Sequence, residues 1–180
     1  MALSATMYRI SLSVSDVDRG VYASEELRLA QHPSESLRHL ILRALAFTLA
    51  FEEGLAMGRG VSSPDEPALA ARDPTGRIVT WIEVGAPSRD RLHRAAKQAD
   101  RVLVFTTGDT RALFRELAGD FHRKDELALF EVDEALVAAL GEGLQRTDAW
   151  QVTRTGGELF VTTQGRTCSG AVRQRSLVGG

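Results

Sequence analysis

The chain opens with apolar and polar residues in alternation, a pattern typical of half-buried β-strands. Tyr8, Ile10, Leu12 and Val14 occupy every second position, and the turn-forming sequence DVDRG follows them. A second strand is predicted over residues 21–30, with apolar side chains on one face. The first part of the chain therefore predicts a β-hairpin or two sequential strands.

Apolar residues next recur at helical spacing. Ser34 is a candidate N-cap at the start of this segment, and Gly54 is its predicted end. The apolar positions lie on both sides of the predicted helix rather than along one stripe. We therefore predict a largely buried helix over Ser34–Glu53 that packs on the sheet containing Ile78–Val84.

The rest of the chain alternates between strand and helix patterns. Further strands are predicted over residues 55–61, 68–72, 78–84, 102–106, 127–132, 150–153 and 159–163, and further helices over residues 89–99, 110–117 and 134–144. This alternation indicates at least partly parallel pairing in a shared sheet. Asp73-Pro74-Thr75-Gly76 predicts a tight turn and Gly156-Gly157 a hairpin turn, whereas residues 173–180 resemble a frayed end.

Composition predicts one globular domain over residues 1–180, since 43% of the residues are apolar and 26% are charged. Cys168 has no second cysteine to pair with, and the N-terminus does not resemble a signal peptide. No apolar stretch approaches the length of a membrane span. We therefore expect a cytoplasmic protein with no membrane or disulfide partner. The formal net charge of −2 shows no overall basic excess and leaves a nucleic-acid partner open.

Two carboxylates are predicted to meet at one edge of the sheet. Asp65 precedes one strand, the turn at residues 73–76 reverses the chain, and Glu83 ends the returning strand. Two neighbouring carboxylates repel each other unless a cation or a proton lies between them. Oxygen ligands of this kind are those that Mg²⁺ prefers, and Glu66 is a candidate further ligand or outer group. The pattern thus favours a site for Mg²⁺ or Mn²⁺, although charged strand ends are commonly only solvated.

The same residues resemble a known layout. Pro64-Asp65, a hairpin, and then Glu83-Val84-Gly85 resemble the PD-(D/E)xK nuclease-like superfamily, with Gly85 at the lysine position. The stretches MALSATMYRISLSVSDVDRGVY, HPSES, GRGVSSPDEPAL and WIEVGAP resemble the YaeQ family of bacterial proteins over nearly the whole chain. This resemblance implies an α/β fold with a restriction-endonuclease-like core, a mixed central sheet flanked by helices, and β-hairpin additions at both termini.

The glycine at the lysine position changes the expected chemistry. A lysine there would activate the attacking water and stabilise negative charge on the phosphate, and Gly85 can do neither. The predicted helix over residues 89–99 packs beside the same strand end, with Leu92, Ala95, Ala96 and Ala99 as its buried stripe. Arg91 or Lys97 is the predicted replacement for the missing charge, and Gln98 resembles a helix glutamine found in some branches of the superfamily.

Two further positions each allow two interpretations. Glu35 is either a first-turn carboxylate that complements the helix dipole or, as the resemblance implies, an outer metal ligand. Glu52 and Glu53 compete for that second role from the other end of the helix. Arg59 is either a phosphate contact between two glycines or an ordinary edge-strand arginine. Residues 106–110 follow a strand and open a helix, and we interpret them as a connecting loop rather than as a phosphate site.

The leading functional hypothesis is a metal-dependent nuclease in which Asp65 and Glu83 hold Mg²⁺ and a water attacks the phosphodiester. The alternative is a catalytically degenerate protein of the same fold that binds nucleic acid or a protein partner. A third hypothesis, a dimer or partner interface formed by the outer hairpins, has no direct support in the sequence. A basic side chain directed at the carboxylates would favour the enzyme.

Overall fold

Ten strands form one continuous sheet in the computed structural model, which describes residues 4–59, 63–118, 121 and 124–176. The strands are β1 (Thr6–Asp16), β2 (Val21–Gln31), β3 (Leu55–Met57), β4 (Leu69–Arg72), β5 (Ile78–Val84), β6 (Arg101–Thr106), β7 (Leu127–Val132), β8 (Thr147–Thr155), β9 (Glu158–Thr163) and β10 (Arg166–Ser176). The α-helices of the same residues are α1 (Leu37–Leu49), α2 (Arg89–Gln98), α3 (Arg111–Ala118) and α4 (Glu134–Gly143).

The order of strands across the sheet is β2-β1-β8-β9-β10-β7-β6-β5-β4-β3. β5, β6 and β7 pair in parallel, as do β1 and β8, and the remaining neighbours are antiparallel. β10 joins the two halves of the sheet, because residues 166–171 pair with β9 and residues 172–176 pair with β7. The mixed sheet with flanking helices agrees with the predicted α/β class.

Helix α1 lies in a core shared by both halves of the sheet. Its side chains from Leu40 to Leu49 are buried, and Ile41 and Leu45 are fully inaccessible. They join one apolar cluster with residues of the N-terminal hairpin, β5, α4 and the C-terminal strands. The prediction of a buried helix packed on β5 is therefore confirmed.

Helix α2 covers the other face of the parallel strands. Leu92, Ala95, Ala96 and Ala99 are buried in a second apolar cluster with Trp81 and residues of β6 and β7. The predicted buried stripe of this helix is confirmed. The side chain of Ser88 accepts a hydrogen bond from the Arg91 amide and caps the helix, which fixes α2 directly beyond the end of β5.

Helix α1 is shorter than the prediction of Ser34–Glu53, and its cap is a different serine. The side chain of Ser36 accepts a hydrogen bond from the His39 amide, so the helix begins at Leu37. The Ser34 hydroxyl instead bonds to the ring of His32. Glu35 therefore lies before the helix rather than in its first turn. At the other end, the helix stops at Leu49, five residues before Gly54.

The C-terminal prediction is also corrected. Residues predicted to fray, from Arg173 to Ser176, belong to β10, because their backbones pair with β7. The predicted strand over residues 55–61 is shortened to Leu55–Met57. Residues 60–62 and 177–180 lie outside the described part of the chain. Within the described residues, no helix is long and apolar enough to cross a membrane.

Candidate functional site

A cavity of about 310 Å³ lies at the C-terminal end of β5, where elements from both faces of the sheet meet. Helix α1 contributes His39 and Arg43, the strand end contributes Glu83, and α2 contributes Arg91. Ser63, Pro64, Glu66, Ala68, Val84, Ala86 and Pro87 complete its lining. The C-terminal ends of parallel strands are the usual position of ligand sites in α/β sheets, so this cavity is the candidate site.

Glu83 is buried and accepts two hydrogen bonds on one oxygen. Both Trp81 Nε1 and Arg91 Nε donate to Oε1, each at 2.7 Å. The other oxygen, Oε2, accepts no hydrogen bond from the described residues. Because Glu83 lines the cavity, Oε2 is the oxygen through which this carboxylate could bind a cation.

Arg91 also fixes the loop that enters β4. Its two terminal nitrogens donate to the main-chain oxygens of Pro64 and Glu66, the latter at 2.7 Å. Arg91 thus reaches Glu83, as expected of a residue that replaces the missing lysine charge. All three nitrogens of its guanidinium are, however, already hydrogen-bonded to protein groups. The arrangement fits a residue that positions the loop beside the carboxylate.

A buried ion pair lies on the α1 side of the cavity. Arg43 donates to both oxygens of Glu35, at 2.8 Å and 2.7 Å, and the two side chains are 2% and 0% exposed. His39 Nδ1 lies 2.5 Å from Glu35 Oε2. The carboxylate of Glu35 therefore contacts both the imidazole of His39 and the guanidinium of Arg43.

The protonation of Glu35 follows from these contacts. Burial raises the pKa of its carboxyl, but hydrogen bonds from His39 and Arg43 outweigh burial, so the net pKa lies below the usual value. Glu35 is therefore a carboxylate at neutral pH, with both oxygens engaged. These contacts fit a carboxylate that orients His39 better than they fit either predicted role of Glu35, which was a carboxylate complementing the helix dipole or a metal ligand.

The backbone conformation at residue 85 favours glycine. Its φ of +96° lies in a region that L side chains rarely adopt, so a lysine at this position would be strained. A Cβ at residue 85 would lie 3.7 Å from Cδ2 and 3.9 Å from Nε2 of His39. The place where the motif lysine would begin is thus directly beside the ring of His39.

The predicted ligands do not form one cluster. No three His, Cys, Asp or Glu side chains in the described part of the chain are placed to hold a metal ion together. Asp65 is 88% exposed, lies 3.6 Å from Arg94, and is not among the residues lining the cavity. Glu66 lines the cavity and also lies 3.7 Å from Arg59. Of the four predicted ligands, Glu83 and Glu66 therefore share the cavity.

The other predicted residues lie outside the cavity lining. Lys97 and Gln98 are exposed on α2, and the Gln98 amide donates to the main-chain oxygen of Arg94 at 3.5 Å. Arg59 is exposed at the edge formed by β3, where it faces Glu66. Glu52 pairs with Arg101 at the start of β6, which is the opposite end of the parallel strands. Their catalytic or binding roles stay predictions.

A larger cavity of about 590 Å³ follows the ends of β6 and β7. Two of its arginines are matched by acids, since Arg111 pairs with Asp109 and Arg175 pairs with Glu131. Asp133 and Glu134 add further negative charge to its lining. The cavity therefore has no net positive charge to attract a phosphate, in keeping with the interpretation of residues 106–110 as a connecting loop.

The sequence analysis did not single out His39 or Arg43. The available signal was the spacing of Glu35, His39 and Arg43, each four residues from the next, which places the three on one side of a helix or of its extension. A carboxylate, an imidazole and a guanidinium at that spacing can contact one another.

Together these features define an α/β protein with a ten-strand mixed sheet among its described residues and a polar cavity of carboxylate, guanidinium and imidazole groups. The sequence profile of the YaeQ protein family matches residues 1–172, and the chain belongs to this family. The predicted membership is confirmed.

Other YaeQ proteins align with this chain over most of their length. The uncharacterized YaeQ proteins of Salmonella typhi and Escherichia coli K12 are 32% and 31% identical, each over 90% of this chain and 91% of their own. The crystal structure of the YaeQ protein from Xanthomonas axonopodis pv. citri is 35% identical and superposes with a TM-score of 0.89, over 96% of this chain and 99% of that one. That from Pseudomonas syringae is 30% identical with a TM-score of 0.86, over 98% and 97%.

Proposed function

We propose that this protein is a metal-dependent nuclease that hydrolyses a phosphodiester at the β5 cavity. The observation that carries the proposal is Glu83, a buried carboxylate whose Oε2 accepts no hydrogen bond from the described residues, in a cavity with a second carboxylate, Glu66. The layout of Pro64-Asp65 and Glu83-Val84-Gly85 supports placing the chain in the PD-(D/E)xK nuclease-like superfamily, with a restriction-endonuclease-like core.

The donor set fits Mg²⁺ or Mn²⁺ rather than a cation that needs a full protein cage. Mg²⁺ keeps several waters and is commonly held by one or two carboxylates together with the phosphate of its substrate. Glu83 and Glu66 would hold the cation, with Asp65 as a third ligand if its loop turns inward. When bound there, a divalent cation would polarise the phosphodiester and favour the ionisation of a water.

The surrounding residues position this chemistry. Arg91 ties Glu83 to the loop of residues 64–66, so both carboxylates of the cavity depend on one guanidinium. Its charge also offsets that of Glu83 while no cation is present. Arg59, which faces Glu66, is proposed to contact the substrate, as are Lys97 and Gln98 in the last turn of α2.

The test is cleavage of single- and double-stranded DNA and RNA with Mg²⁺ or Mn²⁺. The wild-type protein should cleave at least one of the four, and Glu83→Gln should lower the rate by at least about 10²-fold, the scale for one preorganised electrostatic contact. Glu142→Gln, a change to an exposed glutamate of α4, is the matched control. Cleavage that survives Glu83→Gln, or needs no metal, would contradict the proposal.

The second candidate is a catalytically degenerate protein that binds nucleic acid or a protein partner. It is favoured by the exposed side chain of Asp65 and by the engagement of Arg91 with main-chain oxygens. Arg94, which lies near Asp65, and Lys97 are exposed basic residues of α2. If the protein binds a fluorescent oligonucleotide and charge reversal at Lys97 weakens binding, while no substrate is cleaved, this candidate replaces the nuclease.

A further inference from the structure

The imidazole of His39 is fixed at one nitrogen and open at the other. Nδ1 lies 2.5 Å from Oε2 of Glu35, and because a carboxylate can only accept, Nδ1 must carry the proton. In the neutral ring, Nε2 is then an acceptor. No described residue bonds to Nε2, and the side chain is 27% exposed in the cavity wall.

The carboxylate of Glu35, which contacts His39, is itself held by hydrogen bonds from Arg43. Arg43 binds both oxygens of Glu35 and also donates to the main-chain oxygen of Ala30, at 2.9 Å, at the end of β2. The ring of His39 is therefore held through two charged side chains to the backbone of a neighbouring strand. This support suits a residue whose direction matters, because reacting groups must be held close to their productive geometry.

The ring of His39 also lies beside the position from which the lysine of the superfamily layout would extend. The Cβ position of residue 85 is 3.9 Å from Nε2, and the positive φ of Gly85 keeps that space free of a side chain. Arg91 has three nitrogens engaged and Lys97 is exposed outside the cavity lining. The cavity therefore contains a ring nitrogen, Nε2 of His39, that no described residue engages, beside the position of the missing lysine.

We propose that His39 is the general base of the phosphodiester hydrolysis and that Glu35 and Arg43 are its positioning residues. The inference rests on the proposed nuclease function and adds the residue that activates the water. His39 would thereby take over one role expected of the lysine, the activation of the attacking water. A positioned general base contributes typically about 10²–10⁴-fold to a rate.

The proposed step is balanced within the cavity and solvent. Nε2 of His39 takes one proton from a water, and the water oxygen forms a bond to phosphorus. The bond between phosphorus and the departing ester oxygen breaks, and its electron pair stays on that oxygen. A solvent water protonates the departing oxygen, and the resulting hydroxide takes the proton from the imidazolium of His39.

The experiment compares His39→Asn with the wild-type protein. The asparagine amide can still donate to Glu35 but lacks a nitrogen at the Nε2 position. We expect kcat to fall by at least about 10²-fold with little change in KM. His32→Asn is the control, because His32 is an exposed histidine whose ring contacts Ser34. Added imidazole should restore part of the activity of His39→Ala, which a purely structural role would not allow.

A second readout does not depend on activity. Long-range ¹H–¹⁵N spectra of the wild-type protein should show the neutral His39 ring protonated on Nδ1, and Glu35→Gln should disturb that signal. A ring protonated on Nε2 alone would overturn the inference, as would cleavage by His39→Asn at the wild-type rate. If the wild-type protein cleaves none of the four substrates, the proposed function is wrong and the role of His39 falls with it.

Discussion

The ion pair of Glu35 and Arg43 bears both on the stability of the fold and on the orientation of His39. Its two side chains are almost entirely inaccessible. A buried ion pair often adds little net stability, because removing two charges from water offsets their attraction. The removal of one partner is different, since it leaves the other charge buried and unpaired. We infer that the pair is present for the direction it gives to His39 more than for stability.

Arg43→Met tests this at the residue scale. We expect a loss of about 3–5 kcal/mol in the free energy of unfolding, measured by urea denaturation, because Glu35 would stay buried without its guanidinium. The double variant Glu35→Met/Arg43→Met should recover part of that loss. Arg77→Met is the control, because Arg77 pairs with Asp100 at an exposed site, and it should change stability by at most about 1 kcal/mol. A similarly small effect of Arg43→Met would contradict the argument.

At the scale of elements, the sequence predicts best where apolar pattern and turn chemistry agree. The bounds of β5 and β7 match the prediction, since turn residues precede β5 and apolar residues fill both strands. β10 was missed because its sequence RTCSGAVRQRS has little apolar alternation, and its position depends on pairing with β9 and β7. The pairing with β7, which is distant in the sequence, leaves no local signal, whereas the pairing with β9 follows a two-residue turn at Gln164-Gly165.

The candidate site likewise contains residues that the sequence predicts and contacts that it does not. Glu83 and Arg91 could be predicted because one ends a recognisable strand and the other lies near the start of the next helix. The contacts of Glu35 with His39 and Arg43 agree with the four-residue spacing of the three residues, but the sequence analysis interpreted Glu35 alone and assigned no role to His39 or Arg43. The exposure of Asp65 depends on a loop held by Arg91, which no spacing rule predicts.

Gly85→Ala tests the backbone at the end of β5. We expect a loss of about 1–2 kcal/mol in the free energy of unfolding, because a side chain at φ of +96° is strained although its nearest neighbours, atoms of His39, lie at ordinary contact distance. Gly141→Ala in α4 is the control, since its Cβ would meet Leu37 at 3.7 Å without a positive φ. That change should be neutral or stabilising. Equal effects of the two variants would contradict the strain argument.

At the scale of the whole molecule, the cavity is tied to the main core. One apolar cluster contains residues of α1, β5 and α4 together with residues of β1, β2, β8 and β9. β10 continues the sheet from one half to the other. Unfolding of either half would expose this shared cluster, so a ligand bound at the end of β5 should be detected as a change in global stability.

Metal binding should therefore raise the melting temperature of the wild-type protein. A free Mn²⁺ concentration of 100 times Kd stabilises a folded protein by about 2.7 kcal/mol, which for a chain of this size raises Tm by roughly 5–10 °C. Glu83→Gln should abolish the rise, because Oε2 of Glu83 is the proposed contact, whereas Glu142→Gln should retain it. Asp65→Asn decides whether the exposed Asp65 joins the ligand set. A wild-type Tm that does not change with Mg²⁺ or Mn²⁺ would contradict the metal site, whatever the outcome of the cleavage assays.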